Sequence, residues 1–261
     1  MDNSPWKFFL LVLLLCLPFW LLGTLFDRFL PSSIPIHLPF AALIFLCPVG
    51  AALLLTRRAG GSASTAQLLR RTFDIARIRR KAWLLPALLF WPIMMLLEIA
   101  VLPLTGAPIP ALQAPTWLVL PYFLMFFVGA AGEELGWLGY ALEPLQARWG
   151  AARASLILGS VRALFHVVGF LQAHNSPTWI VYQCLGILLG QVIITWLYNN
   201  TGRSIFAAIL LHAAYNVSTL VFPNYGFSYD PLVALVFTAL AALVIVLVWG
   251  PGLTKSWKTL T

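Results

Sequence analysis

Two adjacent glutamates, Glu133 and Glu134, end an apolar stretch in a chain that holds only eight acidic residues. Two histidines, His166 and His212, follow inside later apolar stretches, and Asn216 comes four residues after the second. Ionisable groups at membrane depth are costly to keep and mark function by default. Carboxylates, imidazoles and an amide together can activate a water and stabilise an oxyanion, which points to hydrolysis rather than packing. Successive helical residues point about 100° apart, so the two carboxylates cannot share one direction. One can face a cavity while the other bonds a neighbouring helix. His212 and Asn216, four apart, stack on one helix face. Arg162, one turn before His166, is a cation in a span and calls for a buried partner. Glu98 in an earlier span is an alternative partner to the site acids.

Two mechanisms fit this set. In one, Glu133, His166 and His212 bind zinc and leave an open position for water. In the other, a glutamate alone activates the water while a histidine and Asn216 hold the oxyanion. No H-E-x-x-H helix is present.

The elements that must position these groups are membrane helices. The chain is 61% hydrophobic and 9% charged, and runs of about 20 apolar residues span the hydrocarbon core. Eight such runs are predicted, near 8–26, 36–56, 83–104, 117–132, 152–171, 179–198, 204–222 and 229–249. The fourth is expected to continue as helix to about Gln146. The fold class is therefore all-α, a polytopic membrane helix bundle in one structural domain, with no alternating strand pattern of a membrane barrel.

The net charge of +8 does not point to nucleic acid, because the cations cluster. Arg57, Arg58, Arg70, Arg71, Arg77, Arg79, Arg80 and Lys81 all fall between the second and third spans, which makes that loop cytoplasmic. Both termini are then cytoplasmic, and the loops 105–116, 172–178 and 223–228 on the other side carry no Lys or Arg. Arg28 alone is misplaced, and His37 and His174 lie on the far side. Gly60-Gly61-Ser62 reads as a flexible connector, and residues 65–81 as an amphipathic helix on anionic lipid. Cys16, Cys47 and Cys184 read as separate buried hydrophobes. Gly186 and Gly190 make a G-x-x-x-G pattern suited to close helix approach. Pro86 to Pro121 form a proline-rich stretch suited to kinks beside a cavity. The first span reads as a retained anchor.

Glu133-Glu134 followed by Gly139, then His166, then His212-x-x-x-Asn216, resembles the CPBP family: type II CAAX prenyl endopeptidases and related bacteriocin-processing membrane proteins. The resemblance covers roughly residues 115–220. It implies an eight-helix bundle with a cavity open to the cytosol. It implies endoproteolysis with Glu133 as water-activating base, supported by Glu134, His166, His212 and Asn216. The family's first motif carries an arginine where this chain has Leu138, and Arg162 is expected to supply that cation from the next helix. On this reading residues 1–114 are N-terminal spans with a basic cytoplasmic segment at 56–81. Residues 115–222 are the protease-like core, and 223–261 the last span and tail.

The leading expectation is an intramembrane endopeptidase of the bacterial plasma membrane, acting on a protein or peptide at the bilayer. A non-catalytic scaffold binding another membrane protein and a proton-relay transporter are the competing classes. The transporter is disfavoured by the lack of an internal repeat.

Overall fold

A computed structural model describes residues 4–29, 40–105, 116–173, 175–221 and 231–255. His37, His174 and the prolines at 108, 110 and 115 lie outside the described residues.

Among these residues there is no strand, and the chain is a bundle of long helices. They are α1 Pro5–Phe29, α2 Leu46–Arg70, α3 Leu84–Val101, α4 Val119–Gly136, α5 Glu143–Trp149, α6 Ala151–Gln172, α7 Pro177–Asn200, α8 Ile205–Val221 and α9 Pro231–Trp249. α4 runs through a π turn, Trp137–Leu142, into α5, so one element extends past the glutamates as expected. Seven elements are long and apolar enough to cross a membrane, and α8 is a shorter apolar helix. Within the described residues all eight expected spans thus coincide with apolar helix. Leucines such as Leu10, Leu14, Leu21, Leu96 and Leu247 stand exposed on the outer surface, where lipid rather than water is their solvent. The protein is an integral membrane helix bundle.

Close approach between helices is set by glycines other than the pair singled out. A Cβ on Gly159 of α6 would come 2.7 Å from the Leu188 carbonyl oxygen of α7, and one on Gly136 2.6 Å from Pro48 of α2. Gly186 meets nothing within 4 Å and Gly190 touches only Trp91. The G-x-x-x-G pair therefore does not pack helices; it leaves room.

The basic segment also departs from expectation. α2 passes through Gly60 with a break at Gly61 (φ +70°) and ends at Arg70, after which only short 3-10 turns follow. The helix expected over 65–81 stops because Asp74 has a long-range task. Its carboxylate accepts from Ser204 Oγ (2.7 Å), Phe206 N (3.1 Å) and Ile205 N (3.3 Å), capping α8 from another part of the chain. Arg71 donates to the Arg203 carbonyl at 2.7 Å and to Tyr198 Oη at 3.1 Å. Gly202 takes φ +67°, and a side chain there would strike the Arg77 carbonyl at 2.5 Å. The segment is docked over the turn between α7 and α8. Cys16 and Cys47, expected apart, meet where α1 packs on α2, and both are free thiols.

Candidate active site

Four helices converge on one buried polar cluster. α4 delivers Glu133 and Glu134, α6 Arg162 and His166, α7 Gln191, and α8 His212 and Asn216. Glu134 is fully buried and Glu133 is 7% exposed. Arg162 Nη2 donates to Glu134 Oε1 at 2.8 Å and to Glu133 Oε2 at 3.4 Å, while Nη1 reaches Glu134 Oε2 at 3.4 Å. Nη1 also donates to Gln191 Oε1 at 2.8 Å. One guanidinium thus bridges both acids, the planar fork that arginine offers and lysine does not. Leu138, at the position of the family's motif arginine, is fully buried among apolar side chains. Glu98 is not the partner of Arg162; it lies beside Tyr215.

The two glutamates diverge as their helical spacing requires. Glu134 Oε1 also lies 2.8 Å from His212 Nδ1. A carboxylate only accepts, so Nδ1 carries the proton in that contact and Nε2 is left for other work. Glu133 Oε2 accepts from Trp137 Nε1 at 3.2 Å and lies 4.0 Å from His166 Nε2. That last distance is too long for a direct hydrogen bond but suits groups that address a shared water.

Glu133, Arg162, His166, His212 and Asn216 all line one cavity of about 400 Å³. Gln191 and Trp137 were not singled out from the sequence. Gln191, an amide well inside an apolar helix, carried a readable signal; a tryptophan among apolar residues carried none. Gln191 is itself held, donating from Nε2 to Thr195 Oγ1 at 3.1 Å.

The cavity extends from Glu133 and His166 past Phe170 and Trp179 to Thr219 and Pro231. Those are the ends of α6 and α8 and the starts of α7 and α9, away from Arg70 and Arg71. The resemblance implies an opening on the cytosolic side. Leu68, Leu135, Leu138 and Ile205, toward the end that carries Arg70 and Arg71, are buried.

Glu133, His166 and His212, the donor set drawn for zinc, all line the cavity, and His212 gives Nδ1 to Glu134 while its Nε2 is left for another partner. Among the described residues no three His, Cys, Asp or Glu side chains gather as a metal site. A guanidinium already supplies the positive charge between the carboxylates.

Fold and site together define a polytopic helical membrane protein with a buried Glu-Glu-Arg-His-His cluster at the wall of an intramembrane cavity. Residues 115–218 match the Rce1-like family model, described as type II CAAX prenyl endopeptidase Rce1-like. The chain is also similar to CAAX prenyl protease 2 of Methanococcus maripaludis, 31% identical over 108 residues. That alignment takes in 38% of this chain and 40% of the relative, so it spans less than half of either protein. The resemblance read from the motifs holds over the segment that carries the site.

Proposed function

We propose that this chain is an intramembrane endopeptidase that hydrolyses a peptide bond of a membrane-associated protein or peptide without a metal, in the manner of CAAX proteases. Glu133 takes a proton from a water shared with His166, and the oxygen attacks the scissile carbonyl carbon. Asn216 Nδ2 donates to the resulting oxyanion, and so does His212 Nε2 with the ring protonated on both nitrogens beside the Glu134 carboxylate. Glu133 then passes its proton to the departing amine. Glu134 does not touch substrate; it orients His212 and holds Arg162. The observation that carries this reading is the division of labour between the acids. Glu134 is enclosed by Arg162 and His212, while Glu133 faces the cavity.

The alternative is a scaffold, to which loss of the motif arginine at Leu138 would point. Arg162 counters it, because it neutralises the acids from α6 at 2.8 Å. On this reading the protein lies in the plasma membrane with both termini in the cytoplasm, an orientation supported by the basic segment between Arg57 and Lys81.

Comparing protein termini in cells carrying wild type or Glu133→Gln tests the proposal. A set of cleaved termini that disappears with Glu133→Gln is expected, and purified enzyme is expected to keep its activity in a zinc chelator. No difference at any terminus would favour the scaffold.

The room left by Gly186 yields a second expectation. A Cβ on Gly186 would meet nothing within 4 Å, and the residue lines the cavity, so Gly186→Leu puts a side chain into that space. Folding should be unaffected, as followed by thermal unfolding in detergent, while cleavage falls by roughly tenfold or more as the substrate loses its place.

A further inference from the structure

Arg162 commits only part of its guanidinium to the two acids, and a neighbour on α7 decides which part. Nη1 donates to Gln191 Oε1 and Nη2 to Glu134 Oε1, both at 2.8 Å, while Nη2 reaches Glu133 Oε2 only at 3.4 Å. Nε finds no acceptor among the described residues. A buried donor left without an acceptor favours any turn of the side chain that supplies one. A guanidinium can pair with a carboxylate through its Nε edge as well as through its two ends, so a freed Arg162 has a second way to engage Glu133. Gln191 opposes that turn. It is buried in α7, as is Thr195 one helical turn later, and a buried amide is costly unless both its ends are bonded. Nε2 donates to Thr195 Oγ1 at 3.1 Å, and that hydroxyl donates to the Gln191 backbone carbonyl at 2.8 Å. Arginine nitrogens only donate, so the amide oxygen must face Arg162 and the amide nitrogen must face Thr195. Gly159, three residues before Arg162 on α6, lets α7 come this close: an added Cβ there would lie 2.7 Å from the Leu188 carbonyl oxygen and 3.1 Å from Gln191 Cβ.

From this chain of contacts we infer that Thr195 and Gln191 are positioning residues: they pin Arg162 by one end, weight it toward Glu134, and so leave Glu133 free to take a proton from water. The inference rests on the hydrolytic reading of the site and adds α7 to the helices that set its chemistry. Glu133 also faces His166 on α6, His212 on α8 and Cys16 on α1, but of these neighbours Arg162 alone is a permanent cation. A guanidinium that slid onto Glu133 would occupy the lone pairs the reaction needs. Neither Gln191 nor Thr195 is among the residues that line the cavity. Loss of the pin therefore acts on turnover and not on the binding of substrate.

The test compares Gln191→Met, Thr195→Val and Thr195→Ser with wild type, each checked by thermal unfolding in detergent. Thr195→Val keeps the shape and removes the hydroxyl, whereas Thr195→Ser keeps the hydroxyl and removes a methyl group, so bonding and packing predict opposite orders. The purified protein is treated with dicyclohexylcarbodiimide, an apolar reagent for carboxyl groups that no cation holds, and modification of Glu133 is followed by mass spectrometry. Kinetics use a peptide spanning one of the Glu133-dependent termini. Wild type is expected to be modified at Glu133. Gln191→Met and Thr195→Val should be modified more slowly and lose kcat by roughly tenfold or more with KM unchanged, and Thr195→Ser should recover most of both. In the double variant Gln191→Met with Thr195→Val, the second change should add nothing, because Thr195 acts through Gln191. An unmodified wild-type Glu133, equal modification in all variants, a serine variant as impaired as the valine, or full additivity in the double variant each overturns the inference. Modification does not require hydrolysis. Failure to find any Glu133-dependent terminus would thus remove the protease reading, while the carbodiimide result still decides how Arg162 is held.

Discussion

Arg162→Met is expected to be the most damaging single substitution in the site. It would leave two buried carboxylates, Glu133 and Glu134, with no cation at 2.8 to 3.4 Å. Removing one partner of a buried ion pair costs about 3–5 kcal/mol, because the other charge stays behind without water. Lower thermal stability in detergent and lower abundance in the membrane should follow, together with loss of cleavage. Arg162→Lys keeps the charge but not the fork that serves Glu133, Glu134 and Gln191 together. It should fall between the two. The diagnostic variant is the exchange Arg162→Met with Leu138→Arg. Position 138 follows Glu134 by four residues on a continuous helix, so a long side chain there can return to that carboxylate. The double variant is expected to recover part of the stability and activity lost by Arg162→Met. If it is no better than the single variant, the cation on α6 is not a replacement for one on α4.

That Arg162 could be found without coordinates follows from the cost of an isolated charge in lipid: it must have a partner, and two acids one helix away were the nearest. The same reasoning made the eight spans legible, since apolar runs of that length have few other uses. Contacts set by a distant segment were not legible. Nothing near Asp74 announces that it caps α8, yet this bond ends the helix expected over residues 65–81. Gly186 and Gly190 showed a packing pattern whose meaning depends on the facing surface, and that surface is a cavity. Gly159 carries the close approach with no pattern to mark it. The cavity is lined from α3, α4, α6, α7, α8 and α9 together, an arrangement that periodicity does not encode. Identity of the site residues was readable; their division into a group facing substrate and a group facing protein needed distances.

That division makes the two glutamates separable by experiment. Glu133→Gln removes the base and should lower kcat by about 10²–10⁴. Its effect on stability should be small, because a neutral amide there leaves Arg162 balanced against Glu134 alone, the tighter pair at 2.8 Å. Glu134→Gln acts differently. It breaks the short contact to Arg162 and replaces the charged acceptor of His212 Nδ1. Hydrogen bonds to a charged group contribute about 1.5–3 kcal/mol, so thermal stability should drop as well as kcat. Measured side by side in detergent, Glu133→Gln should be stable and inactive, and Glu134→Gln less stable with a weaker catalytic defect per molecule still folded. The reverse pattern, a stable inactive Glu134→Gln beside a working Glu133→Gln, would transfer the water to Glu134. That result would require Arg162 and His212 to release it during the reaction.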